Sequence, residues 1–155
     1  MTPAIKTAKK ANVIFHVHKY EHDPSSSSYG EEASSKLGID ADRVFKTLVV
    51  SIGDKEFAVA VLPVSRQLDV KLFAKALGIK KVMMADKKDV ERMTGYVLGG
   101  VSPIGQSKRL LTVIDESAEN FDTIFVSAGR RGLEIELSPK DLSSLTSGSF
   151  MNIGK

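Results

Sequence analysis

Alternating apolar and polar positions are clearest in two runs near the middle of the chain. FKTLVVSI (45–52) and FAVAVLPV (57–64) are rich in β-branched and aromatic residues, and the polar segment GDKE (53–56) separates them. A period of two residues places successive side chains on opposite faces of a strand. We therefore expect 45–52 and 57–64 to form a β-hairpin.

Helical spacing and capping residues indicate further elements. In DVKLFAKALG (69–78) an apolar stripe lies between an N-capping aspartate and a terminating glycine. Thr2-Pro3 and Ser138-Pro139 each place proline at the first position of a helix. The predicted helices are 3–12, 31–37, 69–78, 86–95 and 139–145, and the predicted strands are 13–20, 45–52, 57–64, 80–85, 109–114, 121–128 and 133–137.

The order of these elements predicts the fold class. Hairpin-length connections are mixed with crossover lengths, which argues against a regular βαβ succession. We expect an α+β fold in a single domain over residues 1–155, with a mixed, mostly antiparallel, β-barrel-like sheet flanked by short helices. The sequence shows no repeat and no linker that would divide it.

Composition then limits the chemistry. The chain of 155 residues contains no cysteine, which excludes disulfides, thiolate metal sites and a cysteine nucleophile. The N-terminal residues lack the apolar core of a signal peptide and the most apolar run, 57–64, is too short for a bilayer, so we expect a soluble cytoplasmic protein. The net charge of +3 fits either an ordinary solvated surface or a face that contacts RNA.

The segment GYVLGGVSPIG (95–105) contains four glycines. Its second half resembles a phosphate-binding loop, but Gln106 replaces the required lysine, Pro103 removes a backbone donor, and a strand rather than a helix is predicted to follow. Nucleotide hydrolysis is therefore excluded. Two interpretations stay open: a tight backbone crossing, or Gly99 and Gly100 bringing backbone amides close to a ligand carbonyl.

Lys46 is a charged residue on the apolar face of the 45–52 run, together with Leu48, Val50 and Ile52. A lysine in this position can extend its ammonium past the strand end into solvent. It can also direct the ammonium at a phosphate or a polarised carbonyl in a pocket. The pattern alone leaves both possibilities open.

Two other groups of residues offer weaker chemistry. His16, His18 and His22 have no carboxylate at a convincing spacing, so packing or surface roles are favoured over a metal site. No serine–histidine–aspartate arrangement stands out. Arg130 and Arg131, between the glycines of SAGRRG, fit either a phosphate contact or a charged turn.

Several of these segments together resemble a known family. They are YEHDP, YGEEASSKLG, FKTL, ADKKDVERMTGY, GGVSPIGQSKR, SAGRRGLEIEL and SPKDL, and they extend over nearly the whole chain. The sequence resembles the YbaK/ProX-type aminoacyl-tRNA editing family, and within it most closely the bacterial YbaK group of Cys-tRNA(Pro) deacylases. This resemblance implies the barrel-like fold of the editing domain inserted in prolyl-tRNA synthetases.

The resemblance also implies a site and its partners. The expected catalytic residues are Lys46, Gly99 and Gly100, and the expected substrate-binding residues are Tyr20, Thr47, Ser102, Ser127, Gly129 and Arg131. No metal and no cofactor are expected. The implied partners are aminoacylated tRNA(Pro) and prolyl-tRNA synthetase, with neither a membrane nor DNA involved.

The implied activity is trans-editing that frees tRNA(Pro), and also tRNA(Cys), from attached cysteine. In the implied route the cysteinyl thiol attacks its own ester carbonyl, glycine amides polarise that carbonyl, and Lys46 anchors the terminal adenosine. Two alternatives remain: removal of another small amino acid such as alanine by water, and a non-catalytic module that binds tRNA or the synthetase. Glu134 stands where the closest members of the family commonly have aspartate, which leaves the role of this acid open.

Overall fold

The computed structural model describes all 155 residues and contains five α-helices and eight strands. The helices are α1 (Pro3–Lys10), α2 (Tyr29–Leu37), α3 (Val70–Leu77), α4 (Lys87–Thr94) and α5 (Pro139–Thr146), with a 3₁₀ helix at Glu116–Asn120. The strands are β1 (Phe15–Lys19), β2 (Phe45–Gly53), β3 (Glu56–Pro63), β4 (Met83–Met84), β5 (Leu111–Asp115), β6 (Ile124–Arg130), β7 (Leu133–Leu137) and β8 (Ser149–Met151). The α+β class is confirmed.

The strands form two sheets. One has five strands in the order β4-β2-β3-β5-β8, and the other has three in the order β1-β7-β6. The predicted hairpin is confirmed as β2 and β3, which pair antiparallel from Phe45–Pro63 to Gly53–Glu56. Most neighbouring strands are antiparallel, as predicted, while β3 pairs with β5 and β5 with β8 in parallel.

The expectation of one barrel-like sheet is wrong, because the two sheets do not close on each other. A single bridge between Val44 and Phe125 links them at the start of β2. Closure of a barrel needs a continuous ladder of backbone hydrogen bonds between the edge strands. Beyond this bridge the two sheets are joined by side chains, because residues of both belong to one apolar core.

Apolar side chains form cores on both faces of the five-stranded sheet. Phe45 and Val49 belong to the larger core, which also contains residues of the three-stranded sheet and of α1. Val50 belongs to a second core with Phe73 of α3, and Leu48 packs against it. The predicted alternation along β2 is therefore confirmed, and it places Lys46 on the side of this second core.

Local signals set the helix ends as expected. The side chain of Thr2 accepts a hydrogen bond from the amide of Ile5, and Asp69 accepts from the amides of Lys71 and Leu72. Gly78 ends α3 in the left-handed conformation, with φ of +69°. The helices have neither the length nor the apolar character that a transmembrane span requires.

Three elements differ from the prediction. The expected strand 80–85 is reduced to two residues, because only Met83 and Met84 pair with β2. The sequence did not indicate β8, which pairs only with β5, or the 3₁₀ helix that follows β5. Both are short and depend on partners distant in the sequence, so neither repeats a pattern long enough to detect.

Candidate active site

A cavity of about 400 Å³ lies where the start of β2 meets the first turn of α2, the glycine segment and the three-stranded sheet. This volume is in the range of ligand-binding pockets. Of the nine expected site residues, five line the cavity: Tyr20, Lys46, Thr47, Gly99 and Ser127. The other four, Gly100, Ser102, Gly129 and Arg131, do not line it.

Lys46 lines the cavity, and a backbone carbonyl holds its ammonium. Its Nζ donates a hydrogen bond to the carbonyl oxygen of Arg66 at 2.6 Å. Burial lowers the pKa of Lys46, and the negative charge of Glu31 partly opposes this effect. An ammonium has three donors, and this contact uses one of them. Lys46 therefore remains able to donate to a ligand in the cavity.

Gly99 and Gly100 differ in what their amides can do. The amide of Gly100 donates to the carbonyl of Val97 at 2.9 Å. A Cβ on Gly100 would lie 2.6 Å from the Cα of Arg130, so this residue forms a tight backbone crossing. Gly99 lines the cavity with φ of +93°, and no protein acceptor takes its amide hydrogen. Gly100 therefore fits the interpretation as a tight backbone crossing, and of the two glycines only Gly99 has an amide without an acceptor in the protein.

Arg131 holds the cavity rim together from outside. Its guanidinium carbon lies 4.4 Å from the centre of the Tyr29 ring, and Nη2 donates to the Tyr29 hydroxyl and to the carbonyl of Leu98, both at 2.9 Å. The rim formed by Tyr29 and Leu98 was not predicted, because no local pattern links α2 to the glycine segment. A Cβ on Gly99 would lie 2.5 Å from Nε of Arg131, which explains the glycine there.

Two further predicted residues lie behind the wall. Ser102 is fully buried, and its hydroxyl accepts a hydrogen bond from the amide of Ile104 at 3.2 Å. Gly129 has φ of +111°, and a Cβ there would lie 2.8 Å from the ring of Tyr96. Both positions are set by packing and turn geometry.

The three-stranded sheet supplies the acidic side of the cavity. Ser127 of β6 and Glu134 of β7 are directly opposite each other in the strand register, and both line the cavity. Burial raises the pKa of Glu134 to about 8. Burial and the charge of Glu134 raise the pKa of Tyr20. These shifts indicate a poorly solvated region in which negative charge is disfavoured.

Exposed lysines flank part of the cavity lining in the sequence. Met84 and Ala85 belong to its lining, and the exposed lysines Lys80, Lys81, Lys87 and Lys88 flank them in the sequence. Such a cluster beside a pocket favours an anionic polymer as ligand over a small neutral molecule.

The histidines have carboxylate partners. His18 Nε2 lies 2.9 Å from Glu136, and His22 Nδ1 lies 2.7 Å from Glu32. His16 is exposed. No three side chains of histidine, cysteine, aspartate or glutamate are grouped in a way that could hold a metal ion.

Comparison with known sequences decides the family. A profile described as the aminoacyl-tRNA editing domain matches residues 23–145. The chain belongs to the aminoacyl-tRNA editing domain family. The match spans α2 to α5. It includes every residue that lines the cavity except Tyr20, which directly follows β1.

Individual relatives of this editing domain agree with that assignment. The Enterococcus faecalis protein EbsC, whose name proposes Cys-tRNA(Pro)/Cys-tRNA(Cys) deacylase activity, is 43% identical over 96% of this chain and 95% of its own length. A proline–tRNA ligase of Caldicellulosiruptor bescii is 36% identical over 58% of this chain and 14% of the ligase. A crystal structure of a proposed trans-editing enzyme for prolyl tRNA synthetase shares the fold, with a TM-score of 0.81 and 22% identity over 98% of this chain and 92% of that chain.

Proposed function

We propose that this editing domain is a trans-acting deacylase that removes cysteine from Cys-tRNA(Pro), and also from Cys-tRNA(Cys). The observation that carries the proposal is the cavity itself, which both Lys46 and Gly99 line and in which the Gly99 amide has no acceptor in the protein. A backbone amide donor can stabilise the charge that develops on an ester oxygen, and a cation can hold the anionic end of the tRNA. The 43% identity to EbsC over nearly the whole chain supports the choice of cysteine as the amino acid.

The substrate supplies the nucleophile in this proposal. The residues that line the cavity include neither cysteine nor histidine, so the hydroxyls of Thr47 and Ser127 lack the histidine base that usually activates such groups. The cysteinyl sulfur attacks its own carbonyl carbon, a C–S bond forms, and the bond to the 3′-oxygen of the tRNA breaks. The thiol proton passes to that oxygen, which leaves tRNA with a free hydroxyl and cysteine as a cyclic thioester that water opens.

The chain's own residues then have distinct roles. The Gly99 amide donates to the ester carbonyl, and Lys46 donates to the ribose or phosphate of the terminal adenosine. Thr47 lies beside Lys46 with a buried hydroxyl that has no partner in the protein, which supports a contact with substrate. Tyr20 and Ser127 complete the wall, and Arg131 contributes by fixing the rim.

The partners and the location follow from the same assignment. We infer that the protein binds tRNA(Pro) and works beside prolyl-tRNA synthetase in the cytoplasm. The exposed lysines near Met84 support contact with the tRNA backbone. The relationship to part of a proline–tRNA ligase supports a common substrate.

The test is a deacylation panel with Cys-, Ala- and Pro-tRNA(Pro), and with S-methylcysteinyl-tRNA(Pro). We expect accelerated loss of cysteine alone, because S-methylation removes the nucleophilic thiol. Rapid loss of alanine or of S-methylcysteine would instead indicate attack by water. Saturable binding without any acceleration would indicate a binding module and would contradict the proposal.

A further inference from the structure

Glu134 is a buried carboxyl group with no partner. Its residue is 6% exposed, it lines the cavity, and no hydrogen bond or ion pair within the protein reaches its oxygens. Buried carboxyl groups are normally paired or hydrogen-bonded, because an isolated charge in such a place is costly. A carboxyl left without a partner at a cavity wall is therefore a candidate contact for a ligand.

Glu136, two residues further along β7, is an acid whose carboxyl oxygens do have partners in the protein. Its oxygens accept from Thr123 at 2.6 Å, lie 2.9 Å from His18 Nε2 and accept from Arg43 at 3.1 Å. Burial tends to raise the pKa of Glu136, but these hydrogen bonds and charges hold it below the usual value. The sheet thus supplies two acids on one face, and only one of them is satisfied by the protein.

The cation already in the cavity does not neutralise Glu134. The Lys46 ammonium donates to the Arg66 carbonyl, and Glu31 is the acid whose charge acts on it. Glu134 faces Ser127 across the strand register and lies close enough to Tyr20 to raise the pKa of that phenol. Neither hydroxyl brings a positive charge, and His18, which is opposite Glu134 in the β1–β7 register, contacts Glu136 instead, so no cation of the protein is paired with Glu134.

The chemistry of an aminoacyl ester identifies that cation. The tRNA end contributes anionic phosphates and neutral bases and hydroxyls, whereas the α-ammonium is the cationic group near the ester. We propose that Glu134 binds the α-ammonium group of the aminoacyl ester, an inference that rests on the proposed deacylase function. The substrate is then oriented by charge, with its amino group toward Glu134 and its phosphate end toward Lys46.

This contact makes the site select substrates by their amino group as well as by their amino-acid side chain. An aminoacyl-tRNA whose amino group is acylated has no positive charge and adds bulk at the same atom. It would leave Glu134 unpaired and would lose the charge-assisted hydrogen bond. The site should therefore reject N-acylated aminoacyl esters and accept those with a free amine.

The test uses two stable amide analogues of the tRNA end, 3′-deoxy-3′-(L-cysteinylamino)adenosine and its N-acetyl derivative, with affinities measured by calorimetry. Wild-type protein should bind the free amine at least tenfold more tightly than the N-acetyl form. Glu134→Gln, which is isosteric and neutral, should lower this ratio severalfold, because only the steric penalty of the acetyl group would remain. Glu136→Gln is the matched control and should keep the wild-type ratio.

Equal affinity of wild-type protein for the two analogues would overturn the proposal, as would a ratio unchanged in Glu134→Gln. The first comparison needs no variant, so it decides the question even if a variant folds poorly. Failure of the deacylase function is recognised separately. It would appear in the deacylation panel as no accelerated loss of cysteine from Cys-tRNA(Pro), whereas the analogue affinities are measured without any turnover.

Discussion

Glu134 should make the stability of this editing domain depend on pH in a way that one substitution removes. The pKa of its carboxyl is about 8 in the folded protein, against an ordinary value of 4.5. A carboxyl whose pKa is raised on folding has no effect on stability while it is protonated in both states, and it lowers stability as pH rises from the unfolded to the folded pKa. The loss amounts to roughly 4–5 kcal/mol above pH 8, at 1.36 kcal/mol for each pKa unit.

Glu134→Gln keeps the shape of the protonated side chain and cannot ionise. The free energy of unfolding of the variant minus that of the wild type should be near zero at pH 4.5 and should rise to about 4–5 kcal/mol at pH 9. Tyr20, whose pKa the charge of Glu134 raises, and His18, which is opposite Glu134 in the β1–β7 register, are present in both proteins, so most of their effect cancels in the difference.

Urea unfolding followed by circular dichroism at five or six pH values between 4.5 and 9 measures this difference. The effect is large compared with the total stability of about 5–15 kcal/mol for a domain. Glu136→Gln provides the contrast, because the pKa of Glu136 is lowered rather than raised. A difference between Glu134→Gln and wild type that does not change with pH would refute the reasoning about this buried acid.

Three further substitutions test the walls of the cavity. Gly99→Ala should destabilise the fold by about 1–3 kcal/mol and lower the rate of deacylation, because the new Cβ would collide with Arg131. Gly78→Ala is the control and should leave activity unchanged, because no atom lies within 4 Å of the new Cβ. Arg131→Lys should raise KM severalfold in steady-state assays with little change in kcat, because a lysine cannot replace both hydrogen bonds and the ring contact; an unchanged KM would argue against its role at the rim. His22→Ala should cost about 1–3 kcal/mol in urea unfolding, because the buried Glu32 loses a partner at 2.7 Å, and wild-type stability would show that this pair contributes nothing.

The elements that could be predicted are those whose cause is local. The apolar alternation of β2 and β3, the capping aspartate before α3 and the glycine after it all act within a few residues, and the structure confirms them. The separation into two sheets was not predictable in this way. It depends on whether β2 and β6 pair beyond the isolated bridge at Val44 and Phe125, and they do not.

In the site, too, the features with local causes could be predicted and the contacts between distant residues could not. The period of β2 was enough to place Lys46 on the apolar face of the strand, and the presence of four glycines was enough to single out residues 95–105. The contacts of Arg131 join positions 33 and 102 residues away in the chain, which no spacing rule connects. Glu134 and Glu136 share one face of β7 and look alike in the sequence, so only their surroundings reveal that one is paired and the other is free.

The central claim is that Lys46 acts in a deacylase cavity, and single-turnover deacylation of Cys-tRNA(Pro) tests it most directly. Lys46→Ala and Lys46→Met should each lower the rate about 10²–10³-fold with an unchanged circular dichroism spectrum. Lys46→Met keeps an apolar stem next to Leu48, and Lys71→Ala removes an exposed lysine away from the cavity and should retain the wild-type rate. A wild-type rate in the Lys46 variants, or no acceleration by the wild-type protein itself, would contradict the account.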